Sequence, residues 1–149
     1  MLVRDCMSAK LATVKPTDSL ETAEARMKAG GFRRLPVVDQ GKLVGIVGAY
    51  DLRKLLDRLD GISLHDIPVS AAMTPDPVTV SSMDTLEHAV TVALDRKVGG
   101  LPVVDNGRLV GIITARDLWI AEPRPLQEWE PAHETHGLLG RIRRRSTTT

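Results

Sequence analysis

The sequence predicts an α/β fold made of two copies of one β-α-β-β-α unit, and three observations carry that reading. Shifting the 149-residue chain against itself by 66 positions aligns residues 3 to 52 with 69 to 118 without a gap, with 21 identities in 50 positions. Chance at average residue usage would give roughly three. Each copy holds two runs of branched aliphatics without polar alternation, the mark of strands buried on both faces. Each copy also has apolar residues at helical spacing next to acidic capping signals. Two copies suggest a pseudo-twofold module, because an open solenoid needs three or more.

In chain order, Thr13-Val14 and Val78-Thr79-Val80 read as short strands beside prolines. Asp18 and Asp84 are the expected N-caps of the next helices, with Glu21 and Glu87 three residues on. Leu86, Ala89, Val90, Ala93 and Leu94 form one helical face in the second copy, and Leu20, Ala23 and Met27 keep it in the first. Gly30-Gly31 and Gly99-Gly100 are expected to stop these helices. Hairpins follow, Leu35 to Val38 with Leu43 to Val47 around Asp39-Gln40-Gly41-Lys42, and their counterparts around Asp105-Asn106-Gly107-Arg108. A last helix opens at Ala49, reaching to about Leu59, and at Ala115, ended by Pro123. A unit of about 50 residues is too small to bury its own apolar faces, so each is expected to pack on its twin. The expected organisation is repeat 1 over 1–60, a linker over 61–68, repeat 2 over 69–121 and a flexible Pro-containing tail over 122–149.

Composition excludes several functions. Hydrophobic residues make up 42% and charged residues 26%, the balance of a globular chain with a packed core. Residues 1 to 120 carry 15 basic and 15 acidic side chains, and only the tail, with Arg141, Arg143, Arg144 and Arg145, has a basic cluster. A neutral core offers no field for nucleic acid or membrane, and four arginines release few counterions. Four aromatic residues, Phe32, Tyr50, Trp119 and Trp129, are too few for a base-stacking surface. Cys6 is the one cysteine, so no disulfide or thiolate cluster forms within the chain, and with no signal-peptide stretch a reducing cytoplasm is the expected compartment. No phosphate cradle, zinc helix or nucleophile elbow is present, so neither catalysis nor a metal centre is expected. His133-Glu134-Thr135-His136 lacks a third ligand, and Cys6 reads as a semi-buried apolar residue.

Thr114-Ala115-Arg116-Asp117 sits where a strand passes into a helix. Thr114 can cap that helix beside backbone amides at the positive dipole end, and Asp117, one turn in, can accept from two vicinal hydroxyls. The plainer alternative is a capping box and nothing more. The first copy has Gly48-Ala49-Tyr50-Asp51 there, with an aspartate but no hydroxyl, and it has Arg33-Arg34 where the second has Gly99-Gly100. Arg33-Arg34 can also be read as a solvated pair at a helix exit.

The duplicated Leu-Pro-Val-Val-Asp-x-Gly-x-Leu-Val-Gly-Ile followed by Thr-x-x-Asp-Leu resembles the cystathionine-beta-synthase (CBS) domain, and the tandem pair resembles a Bateman module. The resemblance covers residues 1 to about 120 with nothing else recognisable fused to it, as in a stand-alone regulatory protein. It implies a non-catalytic sensor of AMP, ADP, ATP or an S-adenosyl compound in a cleft between the repeats, a homodimer, and a partner protein that reads the change. It implies phosphate and ribose contacts at Thr114, Arg116 and Asp117, adenine contacts at Pro77, Val78, Leu101 and Pro102, and a weaker second site at Asp51. In the nucleotide-sensing subunit of AMP-activated kinase, a His-Arg pair supplies charge across the cleft, which would assign Arg34 to the Thr114 site. The rival expectation is a ligand-free structural or dimerisation module.

Overall fold

The computed structural model describes residues 1–121, which form two compact units. The expected contacts of the tail, and the role of Pro123, lie outside the described residues. One unit holds Lys10–Pro77 with Asn106–Leu109, and the other holds Met1–Ala9, Val78–Asp105 and the described residues from Val110 on.

In the Lys10–Pro77 unit, α2 (Leu20–Gly30) precedes the antiparallel pair β1 (Arg34–Asp39) and β2 (Lys42–Gly48), then α3 (Ala49–Arg58). Val14, the remnant of the first strand, makes a single parallel bridge to Val37. The short β3 (Thr74–Pro75) adds to the far edge of β2. Leu20, Ala23 and Met27 of α2 close over Leu35, Val37 and Val47 with Leu52 and Val69, all buried. The hairpin turns through Gln40 and Gly41 at φ 50° and 79°, a left-handed pair that the glycine makes accessible.

The second repeat keeps this order with α4 (Leu86–Arg96), β4 (Gly100–Asp105), β5 (Arg108–Thr114) and α5 (Ala115–Ala121). Val80 bridges Val103 as Val14 bridges Val37, and Asn106-Gly107 turn at 51° and 78°. The α/β architecture with duplicated β-α-β-β-α repeats is therefore as the sequence predicts.

The compact units differ from the expected contiguous spans 1–60 and 69–121, because the two lead-in segments are exchanged. The helical turn α1 (Val3–Cys6) places fully buried Val3 among Val80, Leu86, Ala89, Val90 and Leu118. Its amides reach the second repeat, Val3 to the Asp84 carbonyl at 2.8 Å and Arg4 to that of Ser82 at 2.9 Å, while Ser8 pairs with Ile112. The equivalent segment Val69–Ala71 docks on the first repeat, with Val69 donating to Asp18 at 2.7 Å and Ser70 to Pro16 at 3.0 Å. Residues 61–68 also contribute to that unit, where Leu64 and Ile67 pack on its core.

Two helix boundaries move by local chemistry. The N-caps are Ser19 and Thr85, whose side chains accept from Thr22 and His88 amides at 3.1 Å. Asp18 and Asp84 turn the other way and accept from the amides of Lys15 and Ser81 at 2.8 Å, closing the loop before the helix. Gly31 caps α2 at φ 69° as expected, but α4 ends on Lys97 at φ 55°, and Gly100 opens β4. The 66-residue offset matches Gly99-Gly100 to Arg33-Arg34, not to Gly30-Gly31.

Candidate functional site at the start of the last helix

Each repeat ends its hairpin by running straight into a helix, and this junction holds Thr114, Arg116 and Asp117 in one copy and Gly48 and Asp51 in the other. The backbone is the same in both: the Ala49 amide donates to the Arg33 carbonyl and the Ala115 amide to Gly99, each at 2.9 Å. The side chains differ. Asp117 Oδ2 accepts from the Thr114 amide at 2.9 Å and from Thr114 Oγ1 at 2.8 Å, while the Asp117 amide lies 3.2 Å from that hydroxyl. The capping box is thus real, and it engages one carboxylate oxygen only. Oδ1 takes no part in it. Capping and ligand binding are compatible, because the cap fixes the orientation of a carboxylate whose second oxygen remains an acceptor. Thr114 and Asp117 are half-buried and Arg116 is exposed.

In the first repeat, Asp51 Oδ2 accepts from the Gly48 amide at 2.8 Å, with no hydroxyl at residue 48 to add a second bond. Arg34 stands across the hairpin from Gly48 in the strand register. Its Cγ lies 3.6 Å from where a Cβ on Gly48 would stand, and Asp51 Oδ2 lies 3.5 Å from the same point. Burial, with the neighbouring Arg33 charge, holds the Arg34 guanidinium below its ordinary range, and the Asp51 carboxylate works in the opposite direction. The structure therefore brings Arg34 together with the aspartate of its own repeat.

Of the four expected adenine-contact residues, Val78 packs on the edge of the second repeat's core and Pro77 is half-buried. Pro102 is buried and its carbonyl accepts from Val80 at 3.1 Å, and Leu101 is a fully buried core residue. Leu101 can shape a site only from behind.

Two features went unnoticed in the sequence. An open recess of about 540 Å³ in the Lys10–Pro77 unit is lined by Thr13, Lys15, Asp18, Arg26 and Asp39. Arg26 bridges it, donating to the Thr13 carbonyl at 2.6 Å and pairing with Asp18 at 3.5 Å. In the other copy Ser81 and Ser82 replace Lys15 and Pro16. There the Asp105 carboxylate accepts from Ser81 Oγ and the Ser82 amide at 3.0 Å and also from Ser82 Oγ. The Ser82 hydroxyl and amide, against a smaller cost of burial, hold the Asp105 carboxyl below its usual range. The signal was the paired serine, 23 residues before an aspartate at a hairpin turn.

Among the described residues, no group of three or more His, Cys, Asp or Glu is placed to hold a metal ion, and no helix is long and apolar enough to cross a membrane.

Comparison with known proteins identifies the family. A CBS domain-containing protein of Dictyostelium discoideum is 36% identical over 144 residues, covering 85% of this chain and 98% of its own. The structure is similar to that of CBSX2 of Arabidopsis thaliana solved in complex with AMP, at 34% identity and TM-score 0.65 over 80% of this chain and 94% of that one. It is also similar to the CBS domain pair of protein MJ0100 in complex with 5′-methylthioadenosine and S-adenosyl-L-methionine, at 28% identity and TM-score 0.73 over 81% and 94%. The family model for the CBS domain, a regulatory and non-catalytic module, matches residues 3–58 and again 66–118. The chain belongs to the CBS domain family and carries a tandem CBS pair, or Bateman module.

Proposed function

We propose that the chain is a non-catalytic regulatory module that senses an adenosine-containing ligand, AMP, ADP, ATP or an S-adenosyl compound, at the Thr114–Asp117 junction and passes the change to a partner protein. The observation that carries this is the Asp117 carboxylate, fixed through Oδ2 by Thr114 with Oδ1 outside the cap. Ribose hydroxyls donate to that acceptor, and the amides opening α5 with exposed Arg116 favour a phosphate or other anionic group. Val78, partly buried at the edge of the second repeat's core, offers an apolar contact for the base. The complexes of CBSX2 with AMP and of the MJ0100 pair with adenosyl compounds support this ligand class. The proposed setting is the cytoplasm, where the single Cys6 stays reduced.

Binding shifts the chain toward whichever conformation holds the ligand better, and that is the signal a partner reads. A thermal-shift screen of the full chain against adenine nucleotides, S-adenosylmethionine, methylthioadenosine and guanine nucleotides tests the reading. An upward shift confined to adenosyl compounds is expected, and a flat response across the panel refutes it.

A second reading, a dimerisation or interaction module, is favoured by one observation. On α3 Leu52 and Leu55 face the core, but Leu56 and, just past the helix, Leu59 are each 41% exposed, and on α5 Ile120 is 62% exposed. Self-association through these outer helices would cover that apolar area.

A further inference from the structure

We infer that Arg34, seated on Gly48, is a built-in block that keeps Asp51 of the first repeat from accepting the vicinal hydroxyls that Asp117 accepts in the second. The inference rests on the proposed role of Asp117 and deepens it by explaining which repeat is competent.

The two junctions share one backbone arrangement but exchange their side chains. Positions 34 and 48 hold Arg and Gly, and the positions 66 further on, 100 and 114, hold Gly and Thr. One member of each pair is bulky and the other is glycine. A side chain at 48 would stand 3.3 Å from the Arg33 carbonyl oxygen and 3.6 Å from Arg34 Cγ. The missing Cβ is what lets the arginine stem lie over the helix start. In the second repeat the equivalent room belongs to Thr114, whose hydroxyl clamps Asp117. The first repeat therefore trades a neutral clamp for a resident cation. That cation is half-buried and has the like charge of Arg33 beside it, with Asp51 as the opposing attraction. Its charge attracts the Asp51 carboxylate, and neutral diol hydroxyls must compete with that attraction.

The test exchanges the pair in the full chain. Calorimetry with AMP is expected to give one event for the wild type, weakened at least tenfold by Asp117→Ala. The double variant Arg34→Gly with Gly48→Thr is expected to add a second event that Asp51→Ala removes. Arg34→Gln, which leaves the glycine in place, serves where the double variant fails to fold, and it is expected to add a weaker second event. Without any ligand, the Asp51 carboxyl followed by carbon NMR should titrate higher in Arg34→Gln than in the wild type, because a neighbouring cation favours the carboxylate. A wild type that binds no AMP counts against the sensing reading. The block is overturned by variants at residue 34 that add no Asp51-dependent event, by an Asp51 titration that does not move, or by a tenfold loss at the Asp117 site on replacing Arg34. The last result would mean that Arg34 serves the second repeat.

Discussion

Replacing Val3 by Ala tests the exchanged lead-ins, the least expected feature of the fold. Val3 is fully buried among Val80, Leu86, Ala89, Val90 and Leu118, although it lies more than 70 residues from each of them in the chain. The substitution removes two carbons, at about 0.8 kcal/mol per buried CH₂. The unfilled space adds a cavity cost, so a loss of about 1.5–3 kcal/mol is expected. Urea unfolding reads the magnitude, and amide chemical-shift mapping reads the place. Changes should centre on α1, Val80, α4 and Leu118, while Val14, Leu20 and Leu35 stay unchanged. Val69→Ala is the mirror experiment, with a similar loss and with changes centred on Val14, Leu20 and Leu52. Val3→Ala shifts centred on the first repeat would refute the exchange.

Two further outcomes follow from the polar and apolar surfaces. Asp105→Asn should flatten the acid limb of stability, because a carboxyl held low in the folded state contributes above its unfolded value, about 3.9, and loses that contribution as pH falls through the folded value. Urea midpoints at pH 7 and near pH 3 check this, and a variant with the wild-type pH dependence would show that the Ser81–Ser82 contacts do not matter. Leu56→Ser with Leu59→Ser should shift a dimer toward monomer in sedimentation at tens of micromolar without lowering the urea midpoint much, since both side chains are largely outside the core. A wild-type chain that sediments as a monomer would remove the dimer proposal.

The hairpins were legible because glycine at the second turn position and unbroken branched aliphatics on both sides admit few alternatives. The helix starts were legible only to within one residue, since Asp18 and Ser19 are both competent caps and which one turns toward the helix depends on the loop behind it. Lys97 in a left-handed cap was not legible, because a non-glycine residue there carries no compositional mark. The exchanged lead-ins were hidden for a different reason. Val3 and Val69 occupy the same place in the 66-residue repeat, so docking on either copy satisfies the pattern equally. At the candidate site, Thr114 and Asp117 are proposed from spacing and resemblance together. Spacing did not reveal that Arg34 rests on Gly48, because that contact follows from the pairing of β1 with β2.

On the proposed reading, Asp117 is the acceptor of one adenosyl ligand per chain. Calorimetric titration of AMP into the wild type, Asp117→Ala and Asp51→Ala tests it most directly, with circular dichroism melts confirming that each variant is folded. Loss of a charge-assisted pair of hydrogen bonds costs on the order of 1.5–3 kcal/mol, a ten- to hundred-fold weakening, and the account predicts this for Asp117→Ala with little change for Asp51→Ala. Equal losses in the two variants, or a larger loss in Asp51→Ala, would contradict it.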